Sequence, residues 1–270
     1  MTGTGKSLRM RRLSGPGDGR HLFVPLDHSV SDGPVVAQAG WHGLLHALVE
    51  GGADAIVVHK GRARTIPPEI LRQCALVVHL SAGTPYAADV DAKVLVGSAE
   101  EAVQHGADAV SVHVNLGSDT EHQQLRDLGI VAAACDAWNL PLLAMIYARG
   151  PRIADPHDPV LLAHAVNIAA DLGADLVKTA IALPLDRMAE VVANCPVPVL
   201  AAGGPPDGSD LVGYAAAVMR AGCRGLAVGR RVFTDPSPRV LMSRLADVVH
   251  ADAAGLQHRQ LSMTIKAGAL

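Results

Sequence analysis

The sequence predicts an α/β fold, a single TIM barrel of eight parallel strands joined by eight helical crossovers. Three observations predict this fold: one phrase occurs four times, short apolar runs lie between its copies, and polar residues follow the runs. The 270 residues are enough for a barrel, which needs about 250. Because 49% of them are hydrophobic and 18% charged, the chain can bury a large, mainly aliphatic core.

The recurring phrase marks the places where helices end and strands begin. Each copy follows an alanine-rich stretch, contains a glycine and opens a short run of Val, Ile, Leu and Ala. A helix that ends at glycine before a buried strand is typical of a βαβ unit, so the strands are predicted to be parallel. The copies read GGADAIVVH at residues 51–59, HGADAVSVH at 105–113, LGADLVKTA at 172–180 and, more loosely, AGCRGLAVG at 221–229.

Four further apolar runs raise the number of predicted strands to eight. An open doubly wound sheet fits less well, because it has fewer strands and usually a GxGxxG turn, which is absent. These runs lie at residues 21–27, 74–81, 141–147 and 197–203, and helical patterns cover residues 41–50, 99–105, 159–171, 186–193 and 210–221.

No linker or low-complexity tract divides the chain, so residues 1–270 are interpreted as one domain. Residues 1–20 form an N-terminal extension in this interpretation. Residues 251–270 form a C-terminal tail that caps the barrel or reaches a neighbouring subunit.

Composition argues against several classes of function. A net charge of −3 predicts no general attraction to nucleic acid or to anionic membranes. The four cysteines form no CxxC pair and no apolar run reaches the length of a membrane span, which together favour a cytoplasmic protein with reduced thiols. The GTGKS stretch at residues 3–7 resembles the end of a P-loop, but it lacks the preceding strand and first glycine.

Lys178 is the sharpest candidate for a catalytic residue, because it lies inside the apolar run LVKTA at residues 176–180. Strand alternation places it on the inner face together with Leu176 and Ala180. Burial lowers the pKa of a lysine, so a neutral amine is expected that can attack a carbonyl and form an imine. The alternatives are a lysine that pairs with a carboxylate across the barrel and one that extends to solvent.

Asp27 and Tyr147 are predicted to lie near Lys178, because the carboxyl ends of barrel strands meet around one active site. Imine chemistry requires proton transfers that a carboxylate and a phenol can perform. The alternative is a hydrogen-bonded pair that stabilises the barrel mouth.

A phosphate site is predicted at the ends of the seventh and eighth strands. Gly203, Gly204 and Gly229 allow close approach of the backbone, and Arg230 can add a charged contact. The alternative is that these glycines are ordinary turn residues. His28, Lys60 and His113 follow other strands and are further candidates for substrate binding.

Three strand-end histidines, His59, His79 and His113, raise the alternative of a catalytic metal site. No HxH pair occurs on any strand, and His59 and the adjacent Lys60 should point to opposite faces, so metal-dependent catalysis is the less favoured chemistry. A barrel that binds a phosphorylated metabolite without converting it is a third alternative.

The ordered strand-end motifs resemble those of the archaeal-type class I (Schiff-base) aldolases over nearly the whole chain. The motifs are VPLDH at residues 24–28, HKG at 59–61, VHVN at 112–115, MIY at 145–147, VKT at 177–179, AGG at 202–204 and VGR at 228–230. The resemblance implies an imine on Lys178, acid/base roles for Asp27 and Tyr147, and a phosphate cradle after the last two strands. It also implies a homo-oligomer, often a decamer, that needs no cofactor and no metal.

Departures from the family pattern bear on the substrate and not on the catalytic groups. Ser29, Ala148 and Arg231 stand where glycine, proline and asparagine are common. Met145 stands where members that act on fructose bisphosphate tend to have tryptophan. The resemblance therefore favours the branch that uses L-aspartate semialdehyde, with dihydroxyacetone phosphate as donor and a C7 amino keto acid phosphate as product. The alternatives within the family are a transaldol reaction and cleavage of fructose bisphosphate.

Overall fold

The computed structural model describes residues 3–204 and 210–251, and eight of its strands close into a parallel barrel. Around the barrel the order is β1, β2, β3, β6, β7, β8, β9 and β10, which returns to β1, while β4 and β5 form a separate antiparallel hairpin. This closure confirms the predicted fold. The strands are β1 (His21–Pro25), β2 (Ala55–Val58), β3 (Ala75–His79), β4 (Ser81–Ala82), β5 (Val94–Leu95), β6 (Ala109–Leu116), β7 (Leu142–Ala148), β8 (Leu176–Thr179), β9 (Val199–Ala202) and β10 (Gly225–Ala227).

The helices surround the barrel, and each of the five predicted helical patterns coincides with one of them to within two residues, the fourth beginning with a short 3₁₀ turn. They are α1 (Thr4–Arg12), α2 (Trp41–Glu50), α3 (Lys60–Ala63), α4 (Pro68–Leu71), α5 (Ala99–Gln104), α6 (Glu121–Trp138), α7 (Pro159–Asp171), α8 (Met188–Ala193), α9 (Leu211–Arg220), α10 (Arg230–Phe233) and α11 (Pro238–Val249), with 3₁₀ turns at Asp27–Val30, Gln38–Gly40 and Leu185–Arg187. Local signals fix two helix starts: Ser98 and Glu101 form a capping box on α5, and Asp158 caps α7 ahead of Pro159.

Strand alternation divides the core into two layers. Side chains of one parity, such as Phe23, Leu143, Met145 and Leu176, pack inside the barrel. Side chains of the other parity pack between the strands and the helices, as Val177 does. The inner layer fills the amino end of the barrel and leaves the carboxyl end for polar side chains.

The aspartate of the recurring phrase locks the register of neighbouring strands at the amino end. The backbone N–H of Asp108 donates to the carbonyl of Leu76, and the Asp108 carboxylate accepts from the N–H of the same leucine at 3.0 Å. Asp54 makes the same reciprocal pair with Leu22, and Asp175 makes it with Leu142. Three copies of one phrase thus perform one structural task, a role that the sequence analysis did not assign.

Helix α1 closes the amino end of the barrel by binding these carboxylates. Lys6, only 5% exposed, donates to Asp175 at 2.9 Å and to Asp136 at 2.7 Å, and Arg12 donates to Asp108 at 2.6 Å. Leu13, at the end of α1, is fully buried within the inner layer. The lysine of the GTGKS stretch is therefore a structural ion-pair partner.

The carboxyl end of α11 is held at the same face by His250. Its Nδ1 lies 3.0 Å from Asp18 and its Nε2 lies 3.2 Å from Asp54. Burial alone would lower the pKa of His250, but hydrogen bonds and charge from Asp54 and Asp18 raise it above the ordinary value. Of the predicted C-terminal tail, residues 252–270 lie outside the described part of the chain.

The described ranges contain no helix that is both long and apolar enough to cross a lipid bilayer. All four cysteines are free thiols.

We predict that Lys6→Met lowers the free energy of unfolding by about 2 kcal/mol, because it leaves the mostly buried Asp175 without its cation. Urea denaturation followed by circular dichroism measures the change. Arg11→Met, at an exposed position of the same helix, is the control and should shift stability by less than about 0.5 kcal/mol. Equal effects of the two variants would contradict the docking role of Lys6.

We also predict a pH-dependent contribution of His250 to stability. A histidine whose pKa is raised by folding stabilises the folded state below its unfolded pKa, near 6.5, and this stabilisation is lost as pH rises through the folded value. His250→Gln should therefore destabilise the protein more at pH 5.5 than at pH 8.5 in urea titrations. The exposed His122→Gln is the control, and a His250→Gln effect that does not vary with pH would refute the prediction.

Candidate active site

A cavity of about 1010 Å³ opens at the carboxyl end of the barrel, where the strand-end residues converge. Its size suits a metabolite of moderate length. Nine of the ten predicted site residues line it, namely Asp27, His28, His113, Tyr147, Lys178, Gly203, Gly204, Gly229 and Arg230.

Lys60 is the predicted residue that the structure does not bring to this cavity. Strand β2 ends at Val58 and the chain turns into α3 at Lys60, which directs the lysine away from the barrel axis. Its Nζ donates to both carboxylate oxygens of Glu101 at 3.0 Å. Lys60 is therefore not part of the candidate active site.

Lys178 lies on the inner face of β8, near the floor of the cavity. Its register partners are Met145 on β7 and Leu200 on β9, both within the inner layer of the core. The side chain is largely shielded, since the residue is 8% exposed and its Nζ lies 4.0 Å from the Met145 sulfur. No carboxylate of the described residues lies within 4 Å of that nitrogen, so the alternative of an ion-paired structural lysine is not favoured.

Asp27 follows β1 and is held among histidines. One oxygen lies 3.4 Å from His28 Nδ1 and the other 3.8 Å from His79 Nε2. Burial alone would raise the pKa of Asp27, but His79 and Lys178, together with further histidines, hold it below the ordinary value. Asp27 is therefore an ionised carboxylate at neutral pH.

Two histidines of the cavity, His79 and His113, are uncharged at neutral pH. Burial lowers the pKa of His79 to about 4 and that of His113 well below its ordinary value. Each has a polar partner, since His79 Nδ1 lies 2.8 Å from Ser111 Oγ and His113 Nε2 lies 2.8 Å from Asn115 Oδ1. Across residues 3–204 and 210–251, no three His, Cys, Asp or Glu side chains are arranged to hold a metal ion, so the geometry does not favour the three-histidine alternative.

Tyr147 is the penultimate residue of β7, two residues after Met145 and on the same face as Lys178. Its ring lies between His113, at a centroid distance of 5.0 Å, and the Arg149 guanidinium, 5.3 Å from the ring centroid. The phenol therefore faces the cavity beside the predicted nucleophile.

Glycines bring the backbone close to the cavity after β9 and β10. A Cβ atom at Gly229 would lie 2.3 Å from the Pro25 carbonyl oxygen and 2.7 Å from the His28 ring, so only glycine fits there. Gly203 has a φ of 74°, which also favours glycine. Arg230, beside them, lies 3.5 Å from the Asp32 carboxylate at the exposed rim.

Sequence reasoning missed the opposite wall of the cavity. Asp91 and Lys93 come from the loop of the β4–β5 hairpin, and Arg149 follows β7. The scarcity of lysine could have drawn attention to Lys93, because it is one of only five lysines in the chain. No pattern showed that its loop folds over the barrel mouth, since β4 and β5 have two residues each.

A family model for the DeoC/LacD family aldolases matches residues 21–235, which include all eight barrel strands. The chain is 49% identical to a 2-amino-4,5-dihydroxy-6-oxo-7-(phosphonooxy)heptanoate synthase of Streptomyces griseus over 247 residues, which cover 91% of this chain and 90% of the relative. It is 39% identical to a 2-amino-3,7-dideoxy-D-threo-hept-6-ulosonate synthase of Halobacterium salinarum, with 94% of each chain covered.

Solved structures agree with these sequence relatives. An archaeal fructose-1,6-bisphosphate aldolase with its catalytic lysine covalently bound to the carbinolamine intermediate matches with a TM-score of 0.81 and 25% identity. The match covers 91% of this chain and 100% of that one. A further archaeal fructose 1,6-bisphosphate aldolase gives a TM-score of 0.82 at 26% identity, covering 90% and 98%. The resemblance seen in the strand-end motifs is confirmed: this chain belongs to the DeoC/LacD aldolase family and is an aldolase of the class I, Schiff-base type.

Proposed function

We propose that this aldolase forms an imine on Lys178 and joins dihydroxyacetone phosphate to L-aspartate semialdehyde. The observation that carries the proposal is the shielded amine of Lys178 in one cavity with the Asp27 carboxylate and the Tyr147 phenol. These are the three groups that a lysine-imine aldol addition requires.

The reaction begins at the ketone of the donor. The Lys178 amine attacks the carbonyl carbon, and the resulting carbinolamine loses water to give a protonated imine. Tyr147 and Asp27 supply and remove the protons for this dehydration, and the low exposure of the site limits return of water.

The carbon–carbon bond forms next. The imine withdraws electrons, so the donor carbon that bears the free hydroxyl group loses a proton and an enamine results. That carbon attacks the aldehyde carbon of the acceptor, whose oxygen takes up a proton. Water then hydrolyses the new imine, which releases the product and restores the Lys178 amine, so that the net reaction adds two molecules without loss of atoms.

The relative from Streptomyces griseus supports this substrate pair. The product in its name is a seven-carbon chain with carboxylate, amino, two hydroxyl, keto and phosphonooxy groups. A three-carbon phosphoketose and a four-carbon amino aldehyde supply all of its atoms by direct addition. The alternatives within the family are the formation of 2-amino-3,7-dideoxy-D-threo-hept-6-ulosonate, the product in the name of the relative from Halobacterium salinarum, by a transaldol reaction, and cleavage of fructose bisphosphate.

The donor phosphate is proposed to sit on the wall formed by Gly203, Gly204, Gly229 and Arg230. Glycine allows an anion to approach the backbone there, and Arg230 adds a positive charge at the rim. This wall follows β9 and β10, and β9 is the neighbour of the Lys178 strand. A three-carbon donor whose phosphate lies on this wall can therefore place its ketone next to Lys178 on the neighbouring strand.

The domain organisation, the cellular location and the assembly of the enzyme are also proposed. Residues 1–270 are proposed to form one catalytic domain, located in the cytoplasm, that assembles into a homo-oligomer such as a decamer. It would act on small-molecule substrates without a cofactor.

We predict that dihydroxyacetone phosphate and borohydride together add the mass of the reduced donor adduct to the Lys178 peptide. Mass spectrometry of a protease digest measures the increment. Lys178→Met should abolish both the adduct and activity, lowering kcat by at least about 10⁴-fold, because no other amine replaces the electron sink. An adduct on a different lysine, or substantial activity in Lys178→Met, would overturn the mechanism.

We predict that Tyr147→Phe lowers kcat by about 10²-fold while the KM for the donor changes by less than about threefold. The ring keeps its packing against His113, but the proton-transferring hydroxyl is lost. Steady-state kinetics with both substrates measures the effect. Tyr86→Phe, at a residue that is 93% exposed, is the matched control, and wild-type turnover in Tyr147→Phe would remove the phenol from the mechanism.

A further inference from the structure

The cavity has a second cationic wall that the imine chemistry does not use. Lys93, on the hairpin loop, and Arg149, just beyond β7, both line the cavity. They lie on the β3–β6–β7 side of the barrel, whereas the proposed phosphate wall follows β9 and β10. Because Lys178 lies on β8, between these two sides, the reacting amine has one cationic wall on each side.

The loop that carries Lys93 is held in place by buried amides. Asn115 and Gln124, at most 1% exposed, both donate to the backbone carbonyl of Asp91, at 2.7 and 3.1 Å. The Asp89 carboxylate accepts from Ser118 at 3.2 Å and from the Asp91 backbone N–H at 2.9 Å. Lys93 is therefore presented to the cavity by a fixed segment of backbone.

Lys93 and Arg149 form a pair of like charges that no carboxylate neutralises directly. Within residues 3–204 and 210–251, no carboxylate oxygen lies within 4 Å of the charged nitrogens of either side chain. The pKa of Lys93 lies below its ordinary value because of burial first and the Arg149 guanidinium second, with Asp91 and Asp89 opposing. A bound anion would relieve this repulsion.

Asp91 lines the same wall two residues before Lys93. Its backbone carbonyl accepts from Asn115 and Gln124, and its carboxylate is close enough to Lys93 to act on the charge of that side chain. Two cations beside one carboxylate are complementary to a molecule that carries both a carboxylate and an ammonium group.

We propose that Lys93, Arg149 and Asp91 form an acceptor subsite that selects an α-amino acid aldehyde. Lys93 and Arg149 bind the α-carboxylate and Asp91 binds the α-ammonium group, so that the aldehyde points toward Lys178. This inference rests on the proposed function and extends it, because it identifies the groups that determine acceptor specificity.

The test compares four acceptors with dihydroxyacetone phosphate as the common donor. L-aspartate semialdehyde carries both groups, 4-oxobutanoate lacks the amino group, 3-aminopropanal lacks the carboxylate, and glyceraldehyde 3-phosphate carries a phosphate instead. The variants are Lys93→Met, Arg149→Met and Asp91→Asn, with Arg126→Met at an exposed helical position as the control. Deuterium exchange into the donor, without acceptor, separately reports enamine formation on Lys178 and shows that each variant is folded and competent.

Lys93→Met and Arg149→Met should lower kcat/KM at least about tenfold for L-aspartate semialdehyde and 4-oxobutanoate, but less than about threefold for 3-aminopropanal. Asp91→Asn should lower kcat/KM for the two amino-bearing acceptors and not for 4-oxobutanoate. Arg126→Met should resemble the wild type throughout.

Equal losses on all acceptors, or no loss with L-aspartate semialdehyde, would overturn the acceptor subsite. A loss confined to glyceraldehyde 3-phosphate would assign the cationic pair to a phosphorylated acceptor instead. Failure of the wild type to exchange deuterium into the donor would overturn the proposed function itself, which distinguishes that failure from failure of the subsite.

Discussion

The register of the barrel strands is the constraint on which the site depends. A shift of one residue in a strand moves every side chain to the opposite face, so the inward orientation of Lys178 requires a fixed register. At the amino end, Asp54, Asp108 and Asp175 fix that register by pairing both their backbone and their carboxylates with a single leucine of the neighbouring strand. The chemistry at one end of the barrel thus relies on carboxylates at the other.

The distribution of charge in the cavity follows from burial. His79 and His113 are neutral at neutral pH because burial disfavours their charged forms. They surround the site with hydrogen-bonding groups that do not add positive charge near Lys178. Formal charges are left to the ionised Asp27 and to the cationic side chains of the two walls, where anionic ends of a substrate would be neutralised.

The sequence was sufficient for features that depend on periodicity and parity. The four copies of one phrase predicted the strands, and alternation predicted the inner face that carries Lys178 and Tyr147.

Features that depend on long-range contacts were not predictable. The basic helix α1 has no apolar stripe that would predict where it packs. Its role in closing the barrel depends on the ion pair between Lys6 and Asp175, which are 169 residues apart in the sequence. Lys60 follows a strand like the other candidates, but a local turn into α3 directs it to Glu101. Asn115 lies beside the end of β6, yet it supports the hairpin loop and does not occupy the wall itself.

The closure of the barrel by α1 limits how molecules reach the reacting amine. Leu13 is fully buried within the inner layer, and Met10 packs against that layer. Substrates and products therefore reach and leave Lys178 through the opening at the carboxyl end of the barrel. An aldehyde seated against Lys93 and Arg149, as proposed, would share this single entrance with the donor ketose and with the departing product.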